Sequence, residues 1–504
     1  MSRLTKNIIY NLFGQGLVLI ISFVAVKYIF SRLGAEALGI IYFTAAVNTV
    51  LSAVLEMGVS STTVREISAH FGSDNNYVKN VVRTFSSFYW SIYLLAGLII
   101  FFMAPFFVDK WIHLNIMSPA VAINIVRVLG IASITVLPRS FYASLIRGLQ
   151  RMEFNNLIDV ITTGLQQFGA ILILILGGGL FLVIYWFAVS YILRVVIYFF
   201  VSARFFSFPA LIPGFSLDVI KKNLNFTLKT TLISIFSTIH TQIDKIIISK
   251  LLPIATLGYY TFAYSGVAQG AILTGAVSQA AYPSFSAFWK AGDRNGLMSQ
   301  YYKLQDLVCF GILPIFAAVP FVIIPLFSYI FNAGIAHLLL LPTTFLCLGF
   351  YMNGTLTIPH IFNLAVGKPG IAAKSNFYSL FITLPVTVIL IYYLGLIGAG
   401  LSWIFYHIFG YFYGVPRTCR ECLGIRIRDW YLHILRIIIL AILTYGASWL
   451  ILRTIGTYSI LALVLAYIAA SIVFLFCSYF LITKELRETL FHYFQLILKL
   501  KTSK

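Results

Sequence analysis

Charge is scarce in this sequence, and acidic charge scarcest of all. Only 10% of the 504 residues are Asp, Glu, Lys or Arg, and Asp and Glu together number 15, whereas a soluble domain carries roughly a quarter charged residues. A water-facing surface cannot be built from that supply. Cysteine is nearly absent too. The five residues Cys309, Cys347, Cys419, Cys422 and Cys477 are odd in number and mostly sit in apolar runs, which excludes a disulfide framework. Cys419-Arg-Glu-Cys422 has C-x-x-C spacing, but a zinc site needs two more ligands and none is near. The pair reads as part of an ordinary cytoplasmic loop, with no metal and no cofactor expected. Gly-rich phosphate loops and nucleotide motifs are also missing. Finally, no leader is expected to be removed. Arg3 and Lys6 precede an apolar stretch from Ile8 to Phe30 that is too long for a signal h-region and has no A-x-A-like cleavage site, so it reads as an uncleaved first span.

What the chain has in abundance is apolar residues, 60% of the total, delivered in successive runs of about 20, the length that crosses a ~30 Å hydrocarbon layer. The expected fold class is all-α, a polytopic membrane protein with about fourteen transmembrane helices. Their expected positions are 8–30, 37–62, 84–107, 120–146, 157–176, 180–203, 223–249, 256–285, 304–331, 337–364, 375–394, 398–416, 431–452 and 457–482. The net charge of +20 does not point to nucleic acid, because the basic residues form short clusters between apolar runs rather than a long patch. Alternate loops collect them: Arg65, Lys79 and Arg83; Arg147 and Arg151; Arg204, Lys221 and Lys222; Lys290, Arg294 and Lys303; Lys368 and Lys374; Arg417, Arg420, Arg426 and Arg428; and Lys484 onward. The opposite loops hold only Arg32, Lys110, Lys250 and Arg453. This positive-inside asymmetry predicts that both termini are cytoplasmic.

The halves repeat. Asn7-Ile-Ile-Tyr-Asn-Leu12 is echoed by Asn223-Leu-Asn-Phe-Thr-Leu228, and Leu33-Gly-Ala-Glu-Ala-Leu-Gly39 by Leu252-Pro-Ile-Ala-Thr-Leu-Gly258. Six spans per unit is even, so the repeat is parallel, a transporter architecture with its cargo site at the repeat interface. The expected organisation is an N-lobe of spans 1–6 (1–205), a cytoplasmic linker (206–222), a C-lobe of spans 7–12 (223–418), spans 13 and 14 (419–483) and an amphipathic cytoplasmic tail (484–504). The tail mixes Leu486, Leu490, Phe491, Phe494 and Leu498 with basic residues, as a helix lying on a leaflet does.

Charges inside spans are costly and point to function by default. They are Lys27, Glu56, Arg127, Arg139, Asp159, Arg194, Lys229, Asp244, Lys245, Asp306 and Arg436. Lys27, Glu56, Asp159 and Arg436 lie near span ends, where snorkelling to the interface is the plainer reading. Arg194 is mid-span, Arg127 and Arg139 share one span twelve residues apart, and Lys229 lies about two turns inside the seventh. At 100° per residue Asn225, Lys229, Ser237, His240 and Asp244 fall on one side of the seventh span, while Asn7, Asn11, Gln15 and Ser22 share a face of the first. Corresponding helices of the two repeats thus each carry a polar stripe.

The opening Asn7 to Gly16, Leu33-Gly34, Leu38-Gly39, and Asp244-Lys-Ile-Ile-Ile-Ser-Lys-Leu-Leu252 leading to Leu257-Gly-Tyr-Tyr-Thr-Phe-Ala-Tyr264 resemble the multidrug/oligosaccharidyl-lipid/polysaccharide (MOP) exporter superfamily, and within it the Wzx-like polysaccharide transporters. The resemblance implies two six-helix lobes around a cavity that alternates between cytoplasm and exterior. It implies a flippase of the cytoplasmic (inner) membrane, with an undecaprenyl-diphosphate-linked oligosaccharide as cargo. Membrane lipids and other polysaccharide-assembly membrane proteins would be further partners. Fourteen spans match the lipid II flippase relatives of the MurJ type, in which the last two are thought to form a lipid groove. On this reading Arg127, Arg139, Arg194, Lys229, Asn11 and Gln15 bind substrate, since Arg and Lys suit a diphosphate. Asp244, Lys245 and Asp306 serve ion coupling or structural pairing. Tyr259, Tyr260, Tyr264, Tyr282 and Trp289 are either sugar-stacking or ordinary packing aromatics. The rivals are a drug/cation antiporter of the same fold, which would want more acid in its cavity, and a polysaccharide polymerase or ligase. The latter needs groups on the outer face, yet the longest outer loop, 108–119, holds only Asp109, Lys110 and His113 as ionisable groups. No enzyme activity is expected.

Overall fold

The computed structural model describes residues 3–456, 459–489 and 491, without the side chains of 3–15, 17, 225, 226, 229, 230, 232 and 233. The expectations for Asn11, Gln15 and Lys229, and most of the tail, therefore lie outside the described residues. By its internal contacts the chain divides into two compact units, Met1–Thr261 and Phe262–Lys504.

Unit 1 runs through α1 (Arg3–Leu33), α2 (Ala35–Leu55), α3 (Val59–His70), α4 (Asn75–Phe106), α5 (Pro119–Ser133), α6 (Val136–Gly148), α7 (Met152–Ile175), α8 (Leu180–Ser202), α9 (Phe208–Leu211), α10 (Leu217–Leu251) and the start of α11 (Ile254–Ala268). Unit 2 continues with α12 (Ile272–Lys290), α13 (Arg294–Ala317), α14 (Val319–Ile330), α15 (Ala333–Ala365), α16 (Gly370–Leu394), α17 (Leu396–Phe409), α18 (Val415–Thr418), α19 (Ile427–Ala441), α20 (Ala447–Ile455) and α21 (Ile460–Leu481). An all-helical chain follows from the solvent. In hydrocarbon each backbone N–H and C=O must find its partner within the protein, and a helix satisfies them within one segment.

Ten helical stretches among the described residues are long and apolar enough to cross a membrane, so this is a multi-pass membrane protein. The other four expected spans fall on α1, on α10 with its polar residues, on α11–α12, and on α17 with its continuation to Leu423. Two expected spans are broken by local chemistry. In the second, Met57 and Gly58 take positive φ of 48° and 63°, so α2 ends at Leu55 and α3 begins a new direction. In the fourth, the chain turns at Ile134–Thr135, and Pro138 sits in the first turn of α6 where no backbone donor is needed. Arg127 and Arg139 thus lie on successive helices.

The core of unit 1 gathers Phe85 and Tyr89 of α4, Phe141 and Tyr142 of α6, Tyr198 of α8 and Ile67 of α3, all buried. In contrast, Leu94, Leu98 and Phe102 form a fully outward row one turn apart on α4. Such a row suits lipid. The repeated glycines also find a use. A Cβ on Gly39 would stand 2.1 Å from the Ile254 carbonyl oxygen, and one on Gly258 would stand 3.0 Å from the Gly39 nitrogen. Here α2 and α11 cross with backbones nearly touching. Glu36, buried at the start of α2, accepts from the backbone N–H groups of Asn115, Ile116 and Met117 at 2.5–3.1 Å, pinning the 112–118 loop.

Unit 2 is built around α15. Gly349 packs on the Trp403 backbone and Cβ of α17, Gly400 packs on Pro342, and Phe350 stacks on Trp403 at 4.7 Å between centroids. Asp306 of α13 is 1% exposed; His433 Nε2 of α19 lies 2.8 Å from its Oδ1, and the Thr483 N–H, just past α21, donates to its Oδ2 at 2.7 Å. A buried carboxylate thus ties the last two spans to α13.

Candidate transport cavity

Serines and threonines inside apolar helices meet their hydrogen-bonding needs locally, each hydroxyl donating to the carbonyl one turn back and keeping its acceptor lone pairs for a partner. Such residues cluster in unit 1 around a cavity of about 600 Å³. Asn48, Thr49, Ser52 and Glu56 of α2, Ser133 and Ser140 of α5 and α6, Tyr191 of α8, and Ser234, Ser237 and Thr238 of α10 line it. Asn48 donates to the Gly130 carbonyl at 3.2 Å and contacts Ser133 Oγ, bracing α2 against α5. Ser52 Oγ is buried with no hydrogen-bond partner among the described residues. A wall of this kind holds water or polar cargo at a depth where lipid offers neither.

Two of the expected cationic residues sit on helices that contribute to this wall, although neither lines the cavity itself. Arg139 precedes Ser140 on α6, and Arg194 lies three residues beyond Tyr191 on α8. Nη2 of Arg139 donates to both Asp159 oxygens at 2.5 Å, and its guanidinium lies 5.4 Å from the Tyr198 ring centroid. Nη2 of Arg194 donates to Thr163 Oγ1 at 2.8 Å. Nε of each arginine is buried with no hydrogen-bond partner among the described residues. Arg139 is paired with the carboxylate and Arg194 is bonded to a hydroxyl, so the two arginines and Asp159 together carry one positive charge in excess. Asp159 was read from the sequence as a snorkelling end residue; position along the span hid its pairing with Arg139, which comes from a different helix.

The other expected residues lie elsewhere. Arg127 is apart from this group, donating to the Phe101 carbonyl at 3.1 Å and lying 4.3 Å from that ring's centroid. Asp244 and Lys245 are both buried. Asp244 accepts from the Tyr260 hydroxyl at 2.6 Å and from the Lys245 backbone at 2.8 Å, while Lys245 Nζ donates to the Thr241 carbonyl at 2.7 Å and lies 3.3 Å from Asp244. Asp306 is tied to α19 and Thr483, as described. Of the aromatics, Tyr260 is the buried partner of Asp244, Tyr259 meets Phe30 edge-on and Tyr264 packs against Phe350 and Trp403; Tyr282 and Trp289 are exposed.

A residue the sequence passed over is Glu66, on α3 outside the spans. Burial opposes its ionisation, but the Tyr77 hydroxyl at 2.7 Å, Arg65 at 2.7 Å and His70 at 3.6 Å outweigh this and hold the carboxyl below the usual glutamate range. Arg65 also donates to Asn223 Oδ1 at 2.6 Å, and Lys222 Nζ sits 4.0 Å from the Tyr77 ring centroid. The network therefore joins α3, α4 and α10.

Residues 4–289 match the family of polysaccharide biosynthesis proteins. A Shigella flexneri protein described as a "Putative O-antigen transporter" is 24% identical over 419 residues, covering 79% of this chain and 93% of its own. Among solved structures, the lipid II flippase MurJ in an inward closed conformation superposes with a TM-score of 0.69 at 16% identity, over 94% of this chain and 99% of that one. An inward-facing multidrug resistance MATE transporter of the MOP superfamily gives 0.66 at 17% identity, over 80% and 95%. With more than half its length matched and its fold shared with these transporters, the chain belongs to the polysaccharide biosynthesis protein family.

Proposed function

We propose that this protein is a flippase that moves an undecaprenyl-diphosphate-linked oligosaccharide across the cytoplasmic membrane by alternating access, with both termini cytoplasmic. The observation that carries the reading is the roughly 600 Å³ cavity lined by hydroxyls and the Asn48 amide, together with Arg139 and Arg194 on α6 and α8, two helices that also contribute to its wall, which with Asp159 carry one positive charge in excess. A diphosphate is recognised by the planar multi-donor fork of arginine, and the hydroxyl wall suits water and sugar. Lys229, Asn11 and Gln15 are assigned to the same path, and Arg127, held at Phe101 apart from the cavity, is not. The two lobes of the repeat, 1–205 and 223–418, are taken as its moving halves.

The lipid chain has a candidate berth in unit 2. About 520 Å³ of almost wholly apolar space is lined by Phe316, Leu341 and Leu348 with Ile438, Tyr445 and Trp449 from the thirteenth span. That span carries a π-helical turn at Ile442–Gly446, a feature frequent at functional sites. The reading supported by the resemblance is a groove for the polyprenyl tail.

One observation favours the second reading, a MATE-like cation antiporter: Glu56, a carboxylate, lines the cavity. Ser60 and Arg147 lie beside it, and Arg147 Nη2 donates to Ser60 Oγ at 2.9 Å. The test is a deletion strain. Accumulation of one lipid-linked glycan on the cytoplasmic leaflet, reversed by the wild-type gene, supports the flippase; normal glycan export combined with sensitivity to cationic dyes overturns it in favour of the antiporter.

A further inference from the structure

Unit 2 holds a second polar space, built on a different principle from the first. Helices α15, α16 and α17 enclose about 230 Å³, walled by Asn353, His360, Asn376, Ser379, Tyr406 and His407. Among the described residues no Asp, Glu, Lys or Arg lines it, so its described wall carries no fixed charge. The polar residues fall on consistent faces, at i and i+7 on α15 and at i and i+3 on α16, which directs them to one side of each helix. Tyr406 Oη stands 3.5 Å from Asn376 Oδ1, so the walls on α16 and α17 orient each other.

A wall of uncharged amides, hydroxyls and imidazoles is matched to something that hydrogen-bonds without charge. A phosphate would want cations, and a metal or drug cation would want carboxylates. We infer that this pocket is a saccharide subsite that takes one neutral sugar residue of the cargo, an inference resting on the reading of that cargo as a glycan. Sugar hydroxyls both donate and accept, as do the side chains of Asn, Ser, His and Tyr. The Tyr406 and His407 rings, 4.7 Å apart and tilted by 60°, offer flat faces of the kind against which the C–H side of a pyranose packs. The volume is below the roughly 300–1,000 Å³ of sites for drug-sized ligands, which limits the occupant to a single ring. The subsite reads sugar identity, and the diphosphate common to every such cargo is left to Arg139 and Arg194.

The test uses full-length protein in nanodiscs and two probes: the repeat-unit oligosaccharide released from the host's own surface polysaccharide, and undecaprenyl diphosphate without sugar. Calorimetric titrations compare wild type with Asn376→Leu and with the milder Ser379→Ala, each checked for monodispersity. The expected result is a Kd for the oligosaccharide raised roughly tenfold in Asn376→Leu and severalfold in Ser379→Ala, with undecaprenyl diphosphate bound as by wild type. Oligosaccharide binding that survives both substitutions overturns the subsite alone. A changed sodium or proton stoichiometry with unchanged oligosaccharide affinity does the same and makes the pocket an ion site. Failure of the wild-type protein to bind the oligosaccharide overturns the glycan reading and the subsite with it.

Discussion

Neutralising Arg139 and Arg194 one at a time should separate stability from transport. Arg139 reaches both oxygens of Asp159 at 2.5 Å, with side-chain exposures of 24% and 38%. Removing one partner of a fully buried pair costs about 3–5 kcal/mol, and an exposed pair contributes about 0.2–1 kcal/mol. With Asp159 more than a third exposed, Arg139→Gln should fall between, at about 1–3 kcal/mol. Since 1.4 kcal/mol is about tenfold in an equilibrium constant, membrane abundance should drop visibly. Asp159→Asn in the same chain should restore it, because the stranded carboxylate is gone. Arg194 answers to a hydroxyl, Thr163, so Arg194→Gln strands no charge and should leave abundance near wild type. A charge-assisted hydrogen bond to cargo is worth about 1.5–3 kcal/mol, so its export rate should fall roughly 10- to 100-fold. The assay is the initial rate of glycan export per molecule of membrane protein in a deletion strain. Wild-type export from Arg194→Gln would refute the cargo role, and full abundance of Arg139→Gln would refute the pairing.

Lys229→Gln, on the polar stripe of α10, should lower export without lowering protein level; normal export removes it from the path. For topology, Arg420→Cys in a cysteine-free background should resist an impermeant thiol reagent applied to intact cells while His113→Cys reacts, and the reverse pattern would invert the orientation. Truncation after residue 430 strips His433 and Thr483 from the buried Asp306, so the truncated chain should accumulate only when Asp306→Asn is added, and without transport; unaided accumulation would argue against the tie. Gly39→Ala should fail to accumulate, because its Cβ would meet backbone at 2.1 Å, and a stable, active variant would dismiss the close crossing. Because the folded-state pKa of Glu66 is depressed, its contribution is complete above the unfolded value of about 4.3 and is lost as pH falls through the lower folded value. Glu66→Gln should therefore melt below wild type at pH 7, with the gap closing under strongly acid conditions; a gap that widens there would refute the assignment.

The membrane fold was legible without coordinates because hydrocarbon imposes one-dimensional rules: a span needs about 20 apolar residues, and its backbone must close on itself. Composition and run length therefore determined fold class, and the short repeat drew attention to Gly39 and Gly258, though only the structure shows that they meet in space. Partnership was not legible. Asp159 looked like an end residue, and Asp306 was open to ion coupling or pairing with no partner named, because their partners, Arg139 at 20 positions and His433 at 127 positions along the chain, are chosen by helix packing rather than by spacing. The break at Met57–Gly58 was hidden as well, since hydropathy sums over a window and does not register a change of φ. Nor could periodicity find the uncharged pocket of α15 to α17. Its residues are ordinary Asn, Ser, Tyr and His on three separate helices, and only tertiary packing turned their faces toward a common space.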